Sequence, residues 1–131
     1  NIAQLKKTNQ FITRRVEIAS IYSQRLSGLK HIKVPMFCDD QIYTQYIIEI
    51  SKNRDAFARE LKDVGISTGL NYVPLHLLSY YKNKYKLKIM AFSNALSSYS
   101  KILSLPIYAA MTDEEVNYVC DEIIEIENRW I

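Results

Sequence analysis

An amide, a phenol and an imidazole fall close together in Asn71-Tyr72-Val73-Pro74-Leu75-His76. The amide both donates and accepts, the phenol adds a ring face, and the imidazole can exchange a proton near neutral pH. Asn71, Tyr72 and His76 are therefore the residues here that could do chemistry, and His76 is one of only two histidines in the chain. The same residues lie between Gly65 and a tyrosine pair and contain Pro74, so they also describe a turn between a strand and a helix. A second group, Tyr80 to Lys88, interleaves three tyrosines with Lys82, Lys84, Lys86 and Lys88. Such alternation serves single-stranded nucleic acid, and it can equally grip a nucleotide diphosphate. The run is short and the net charge only +3, which favours a solvated loop and ranks nucleic acid last among partners.

Cys38 and Cys120 are the only cysteines and form neither a CxxC pair nor a cysteine–histidine cluster. That argues against a disulfide framework and a zinc site, and both thiols read as small apolar side chains. The chain has 131 residues, 48% hydrophobic and 24% charged, which suits one domain with one core. No apolar run is long enough for a bilayer and no signal-peptide pattern opens the chain, so a cytoplasmic protein with no membrane partner is expected. The chain starts without methionine and directly in a helical pattern, which reads as a piece of a longer or processed protein.

The elements that must position these groups follow from periodicity. Leu5, Ile12, Val16, Ala19, Tyr22 and Leu26 recur at helical spacing over residues 2 to 27, with Gly28 placed to end the helix. Arg14, Arg15 and Arg25 on it read as solvated or as paired with a further domain. Residues 29 to 41 read as an irregular connection. Residues 42 to 50 form a half-buried strand with Ile42, Tyr46, Ile48 and Ile50 inward and Tyr43, Gln45 and Glu49 outward. Asn53 caps a helix carrying Phe57, Leu61 and Val64 that Gly65 stops. Residues 66 to 73 read as a second strand, 82 to 88 as a loop, and 89 to 99 as a helix with Phe92, Leu96 and Tyr99 inward. A third strand holds Ile102-Leu103-Ser104-Leu105-Pro106. Thr112 and Glu115 form a capping box for a last helix whose Val116, Val119, Ile123 and Ile126 face inward. Trp130 is placed against the first helix. The fold class is α+β, a small three-stranded sheet packed with helices, its topology left open by periodicity alone.

Four stretches, in order, resemble the C-terminal portion of the DegT/DnrJ/EryC1/StrS sugar aminotransferases. They are AQLKK with RRVEIASIYSQRL, YIIEI with NRDAFARELKDVGIST, NYVPLH, and SLPIYAAMTDEEVNYVCDEI. The resemblance covers essentially the whole chain, and SLPIYAAMTDEEV is its most specific part. It implies a long interdomain linker helix over residues 1 to 30, a small α+β domain over 31 to 131, and a large pyridoxal-phosphate-binding domain upstream. The implied activity is transfer of an amino group, typically from glutamate, onto a nucleotide-linked keto sugar, in a homodimer whose active sites this domain helps to wall.

Within that resemblance Asn71 stands where many members have histidine near the cofactor and sugar, and an amide cannot carry a proton at neutral pH. The family's Schiff-base lysine motif and phosphate cup are not in this sequence, so the chain by itself is expected to be inactive. A dehydratase branch with histidine in place of that lysine is the alternative; a non-enzymatic small binding module is the rival. The family reading predicts an exposed apolar stripe within residues 5 to 26, where the large domain docks.

Overall fold

The computed structural model describes residues 2–130. Three strands, β1 (Ile32–Lys33), β2 (Tyr46–Ile50) and β3 (Ile102–Leu105), form an antiparallel sheet in the order β1-β2-β3. Direct pairing puts Ile32 opposite Ile50, Ile48 opposite Leu103 and Tyr46 opposite Leu105. All six are buried, so one face of the sheet is the floor of the core. On the other face Lys33 lies opposite Glu49, both exposed.

Helices α2 (Thr8–Leu26), α3 (Arg54–Asp63) and α6 (Asp113–Arg129) close this core. Helix α6 is capped as expected: Thr112 Oγ1 accepts from the Glu115 N–H and Glu115 accepts from the Thr112 N–H, satisfying two donors at the helix start. Its Val116, Val119, Ile123 and Ile126 are buried. Helix α3 is capped by Asn53, whose Oδ1 accepts from the Ala56 N–H, and ends before Gly65 at φ 83°. Phe57 and Leu61 are buried from it.

Several expectations are corrected. The first helix is two pieces, α1 (Ile2–Lys6) and α2, separated at Lys7. Arg14 and Arg25 are neither free nor reserved for another domain. Arg14 donates to the Met111 carbonyl and pairs with Asp113, and Arg25 bonds Asn117 and pairs with Asp121, which fastens α2 along α6. Ile42 and Tyr43 exchange places: Tyr43 takes φ 51°, which breaks the alternation, so its ring is buried and Ile42 is exposed. Residues 66 to 73 contribute only one bridge, Gly69 to Ser104; the third strand is β1, inside the stretch expected to be irregular. Trp130 packs edge-on against Phe57 of α3, ring centroids 5.4 Å apart, and donates to Glu60. Cys38 is exposed.

Residues 75 to 101 build a separate lobe. It consists of a 3-10 turn (Leu75–Leu77), α4 (Ser79–Lys84), a second 3-10 turn (Ile89–Phe92) and α5 (Ser93–Lys101). Thus α4 covers the start of the expected loop, and Phe92 is exposed while Leu96 and Tyr99 are only half-buried. From Leu77 to Ile102 no residue is fully buried.

Candidate functional site

The chain from Gly69 to His76 leaves the sheet edge and enters the lobe. Gly69 and Ser104 exchange backbone hydrogen bonds of 2.9 and 2.8 Å. A Cβ on Gly69 would lie 3.4 Å from the Asn71 Oδ1 and from the Ser104 Cβ, so this glycine leaves room for the half-buried Asn71 side chain beside β3. Tyr72 is 75% exposed, and its hydroxyl accepts from Gln45 Nε2 at 3.2 Å. His76 is the reverse, 5% exposed, with its ring 4.9 Å from that of Phe92 and its buried Nε2 without a hydrogen-bond partner. The three candidates thus occupy a rim, a surface and an interior, and among the described residues no hydrogen bond joins any two of them. His76 sits where a core histidine joins the lobe's two 3-10 turns.

Beyond these, the lobe presents the tyrosine–lysine group as one surface. Lys84 Nζ donates to the Tyr80 hydroxyl at 3.0 Å and stands 5.3 and 5.5 Å from the Tyr80 and Tyr85 ring centroids. Tyr81 and Tyr85 lie nearly parallel, one helical turn apart. Between Asp63 and Asp113 the sequence has no acidic residue, while Lys82, Lys84, Lys86, Lys88 and Lys101 all fall there, giving +5 with His76 neutral. The rest of the chain holds twelve of the seventeen basic residues and all fourteen acidic ones. Among the described residues every ion pair is made by an arginine.

A third feature is an apolar groove of about 690 Å³ where α1 and α2 meet the turns before β2 and after β3. Leu5, Phe11, Ile12, Ile42 and Tyr108 line it, with Arg15 beside them. Arg15 Nη1 donates to the carbonyls of Tyr43, Thr44 and Ile107 at 3.1 to 3.4 Å, holding both turns against the helix. The same turns are held from inside: the Tyr22 hydroxyl donates to the Pro106 carbonyl at 2.7 Å, and burial pushes that phenol well above its ordinary pKa. Tyr46, bonded to Ser23, is pushed up to about 12, chiefly by burial. The expected apolar stripe therefore divides. Leu5 is 72% exposed, with Phe11 beside it on the groove, whereas Ala19, Tyr22 and Leu26 are buried in this chain's own core. Sequence reasoning missed Ile42, Arg15 and Tyr108 as members of this groove, because it assembles three segments far apart in the chain.

Pyridoxal phosphate needs a lysine amine held where the cofactor's aldehyde can reach it. All eleven lysines of this chain are exposed, so none is held in an enclosed site. Among the described residues no group of three or more histidine, cysteine, aspartate or glutamate is placed to hold a metal, and no helix is long and apolar enough to cross a membrane.

Comparison with known proteins fits this arrangement. The model of the DegT/DnrJ/EryC1/StrS aminotransferase family matches residues 1–124. An uncharacterized protein of Methanocaldococcus jannaschii is 35% identical over 98% of this chain and 36% of its own length. The spore coat polysaccharide biosynthesis protein SpsC of Bacillus subtilis is 29% identical over 94% of this chain and 34% of its own. GDP-perosamine synthase of Escherichia coli O157:H7 is 27% identical over 95% of this chain and 34% of its own. Among solved structures, the aminotransferase TlmJ of Streptoalloteichus hindustanus superposes with a TM-score of 0.86 at 31% identity, covering 98% of this chain and 35% of that one. The pyridoxal-phosphate form of the putative sugar aminotransferase Spr1654 of Streptococcus pneumoniae reaches 0.90 at 23% identity, over 99% and 34% of the two chains, and shares the fold. The chain thus spans about a third of the length of the relatives it matches. It belongs to the DegT/DnrJ/EryC1/StrS aminotransferase family.

Proposed function

We propose that this chain is the C-terminal small domain of a pyridoxal-phosphate-dependent aminotransferase that moves an amino group from glutamate onto a nucleotide-linked keto sugar. In this reading α1 and α2 are the linker helix, and a large domain upstream carries the Schiff-base lysine. When bound there, the cofactor supplies the electron sink for amino transfer. The present chain supplies a wall of the substrate cleft and a docking face, in a homodimer. One observation carries the reading: the family match runs nearly end to end, yet covers a third of the relatives and includes no buried lysine. The groove at Leu5, Phe11 and Ile42 supports it, since an apolar face on the linker helix is where another domain would dock. Relatives named for spore coat polysaccharide biosynthesis and for a GDP-linked product support the substrate class.

The test is to read the coding sequence upstream of Asn1, express the whole protein, and assay glutamate-dependent amination of a panel of nucleotide-linked keto sugars. The expected result is transfer by the whole protein and none by residues 1 to 131. A histidine in place of the Schiff-base lysine would move the reading to dehydration. A start codon close to Asn1 would overturn both and leave a binding module.

A further inference from the structure

The tyrosine–lysine surface has no task within the chain's own fold. Among the described residues its lysines make no ion pair, four of them fall within seven residues of a stretch without acids, and Tyr80 and Tyr85 are 62% and 59% exposed. Like charges so close repel one another, and isolated exposed lysines gain nothing from being clustered. Their grouping is therefore informative about a partner that carries negative charge. Lys84 is not a loose cation: two tyrosine rings and a hydroxyl fix its ammonium group. Helix α4 then turns sharply. The Leu87 N–H bonds back to the Lys82 carbonyl and Lys86 takes φ 51°, a left-handed conformation for which glycine is the usual residue. That turn reverses the chain at the end of α4, and Lys82, Lys86 and Lys88 flank Lys84 in sequence with exposed side chains.

We propose that the Tyr80–Lys88 face binds the nucleoside diphosphate half of the substrate: the lysines hold the phosphates, and Tyr80 or Tyr85 offers its ring to the base. The inference rests on the nucleotide-linked substrate proposed above and names where its nucleotide is held. Size favours a diphosphate over a nucleic-acid strand. Six residues of α4 extend about 9 Å, enough for a diphosphate and a ribose but short of the several nucleotides that a strand-tracking groove follows. Phosphate contact by lysine is charge-assisted, and stacking adds selectivity for a base over a bare phosphate.

The experiment titrates the 131-residue chain with uridine diphosphate, inorganic pyrophosphate, uridine and a ten-nucleotide single-stranded oligonucleotide, observing backbone amides by NMR. Uridine diphosphate should shift amides of residues 79 to 88, bind several-fold tighter than pyrophosphate, and weaken as salt is raised. The variant carrying Lys82→Gln, Lys84→Gln, Lys86→Gln and Lys88→Gln should lose roughly tenfold or more in affinity. Its unfolding midpoint should stay near that of the parent, because all four side chains are exposed. The variant carrying both Tyr80→Leu and Tyr85→Leu should abolish the preference over pyrophosphate while pyrophosphate still binds. The inference is overturned by shifts elsewhere on the chain, by no shift at all, by unchanged affinity in the lysine variant, or by an oligonucleotide bound more than tenfold tighter than the diphosphate. A coding sequence without a large domain would defeat the aminotransferase reading and leave this titration standing; silent amides at 79 to 88 beside an active whole enzyme would defeat the inference alone.

Discussion

The sheet with its three covering helices and the lobe over residues 75 to 101 obey opposite rules. In the first, every inward position of β2 and β3 is filled by a large apolar side chain facing another. Arginine–carboxylate pairs close its rim. In the second, tyrosines, lysines and apolar side chains share one surface, and the interior amounts to His76 against Phe92. A region that buries so little of its own surface gains little free energy from its internal contacts, since stabilisation scales with apolar area removed from water. The core is the scaffold; the lobe leaves most of its side chains at the surface.

Truncating one apolar residue in each region is the strongest way to break this comparison. Ile48→Ala removes a fully buried side chain between β3 and the helices and should destabilise by about 2–5 kcal/mol. Leu75→Ala, on the 61% exposed side chain that opens the lobe, should cost less than about 0.5 kcal/mol. Urea unfolding of both variants reads the contrast directly. Equal costs would mean that the lobe is part of the cooperative core.

The two regions also differ in how far their sequences could be read. The start and inward face of helix α6 were legible because their signals are local: a capping box, three acids in the first turn, and four apolar residues at helical spacing. The same holds for α3 between Asn53 and Gly65. Strand pairing is not local. Ile32 and Lys33 are a strand only because β2 lies beside them, and residues 66 to 73 look like one but find a partner only at Ser104. Tyr43 defeated the alternation because its left-handed backbone lies before β2 begins: Tyr46, Ile48 and Ile50 face inward as expected, and only Ile42 and Tyr43 change places. In the candidate site, the residue types at 71, 72 and 76 were visible but their separation was not; that depends on how the chain crosses from the sheet edge into the lobe. The pairing of Tyr80 with Lys84 was not legible, because residues 82 to 88 were expected as a loop and the two side chains meet only once α4 sets them four residues apart on a helix.

Arg54 is where the two regions are joined, and its removal should have the next largest effect. Its Nη1 donates to the carbonyls of Tyr99 and Ile102 at 3.1 and 2.8 Å, its guanidinium lies over the Tyr99 ring, and Nε pairs with Asp55. Arg54→Ala leaves two carbonyls without their charged donor and should cost about 2 kcal/mol. The amides of α5 should lose protection from hydrogen exchange well before those of α6. Arg54→Lys should recover little, because an ammonium group cannot reproduce the planar fork. Protection lost equally in α5 and α6 would contradict a hinge at this residue.

Lys86→Gly sharpens the comparison from the other side, since it should stabilise. At φ 51° a Cβ is disfavoured, and glycine removes that cost, so α4 and its turn should gain about 0.5–1 kcal/mol. Because the lobe is weakly coupled to the core, the gain should appear as slower exchange of α4 amides and hardly at all in the global unfolding midpoint.

Acid should separate the regions by the smallest margin and in one direction only. Glu60 of α3 accepts from Arg129 and Trp130, and these hydrogen bonds hold its carboxyl below the ordinary value. A depressed folded-state pKa means that its stabilisation is fully present above the unfolded value, near 4.3, and is lost as pH falls through the folded one. Glu60 is about a third exposed, so screening limits the effect to roughly 0.5 kcal/mol. The stretch from residue 64 to 112 contains no carboxylate and has no such contribution to lose. Lowering pH from 6 to 3 should therefore loosen the packing of Trp130 on Phe57, seen as a change in tryptophan fluorescence. Glu60→Gln should flatten the fluorescence change; an unaltered acid profile in that variant would place the acid-sensitive contact elsewhere in the core.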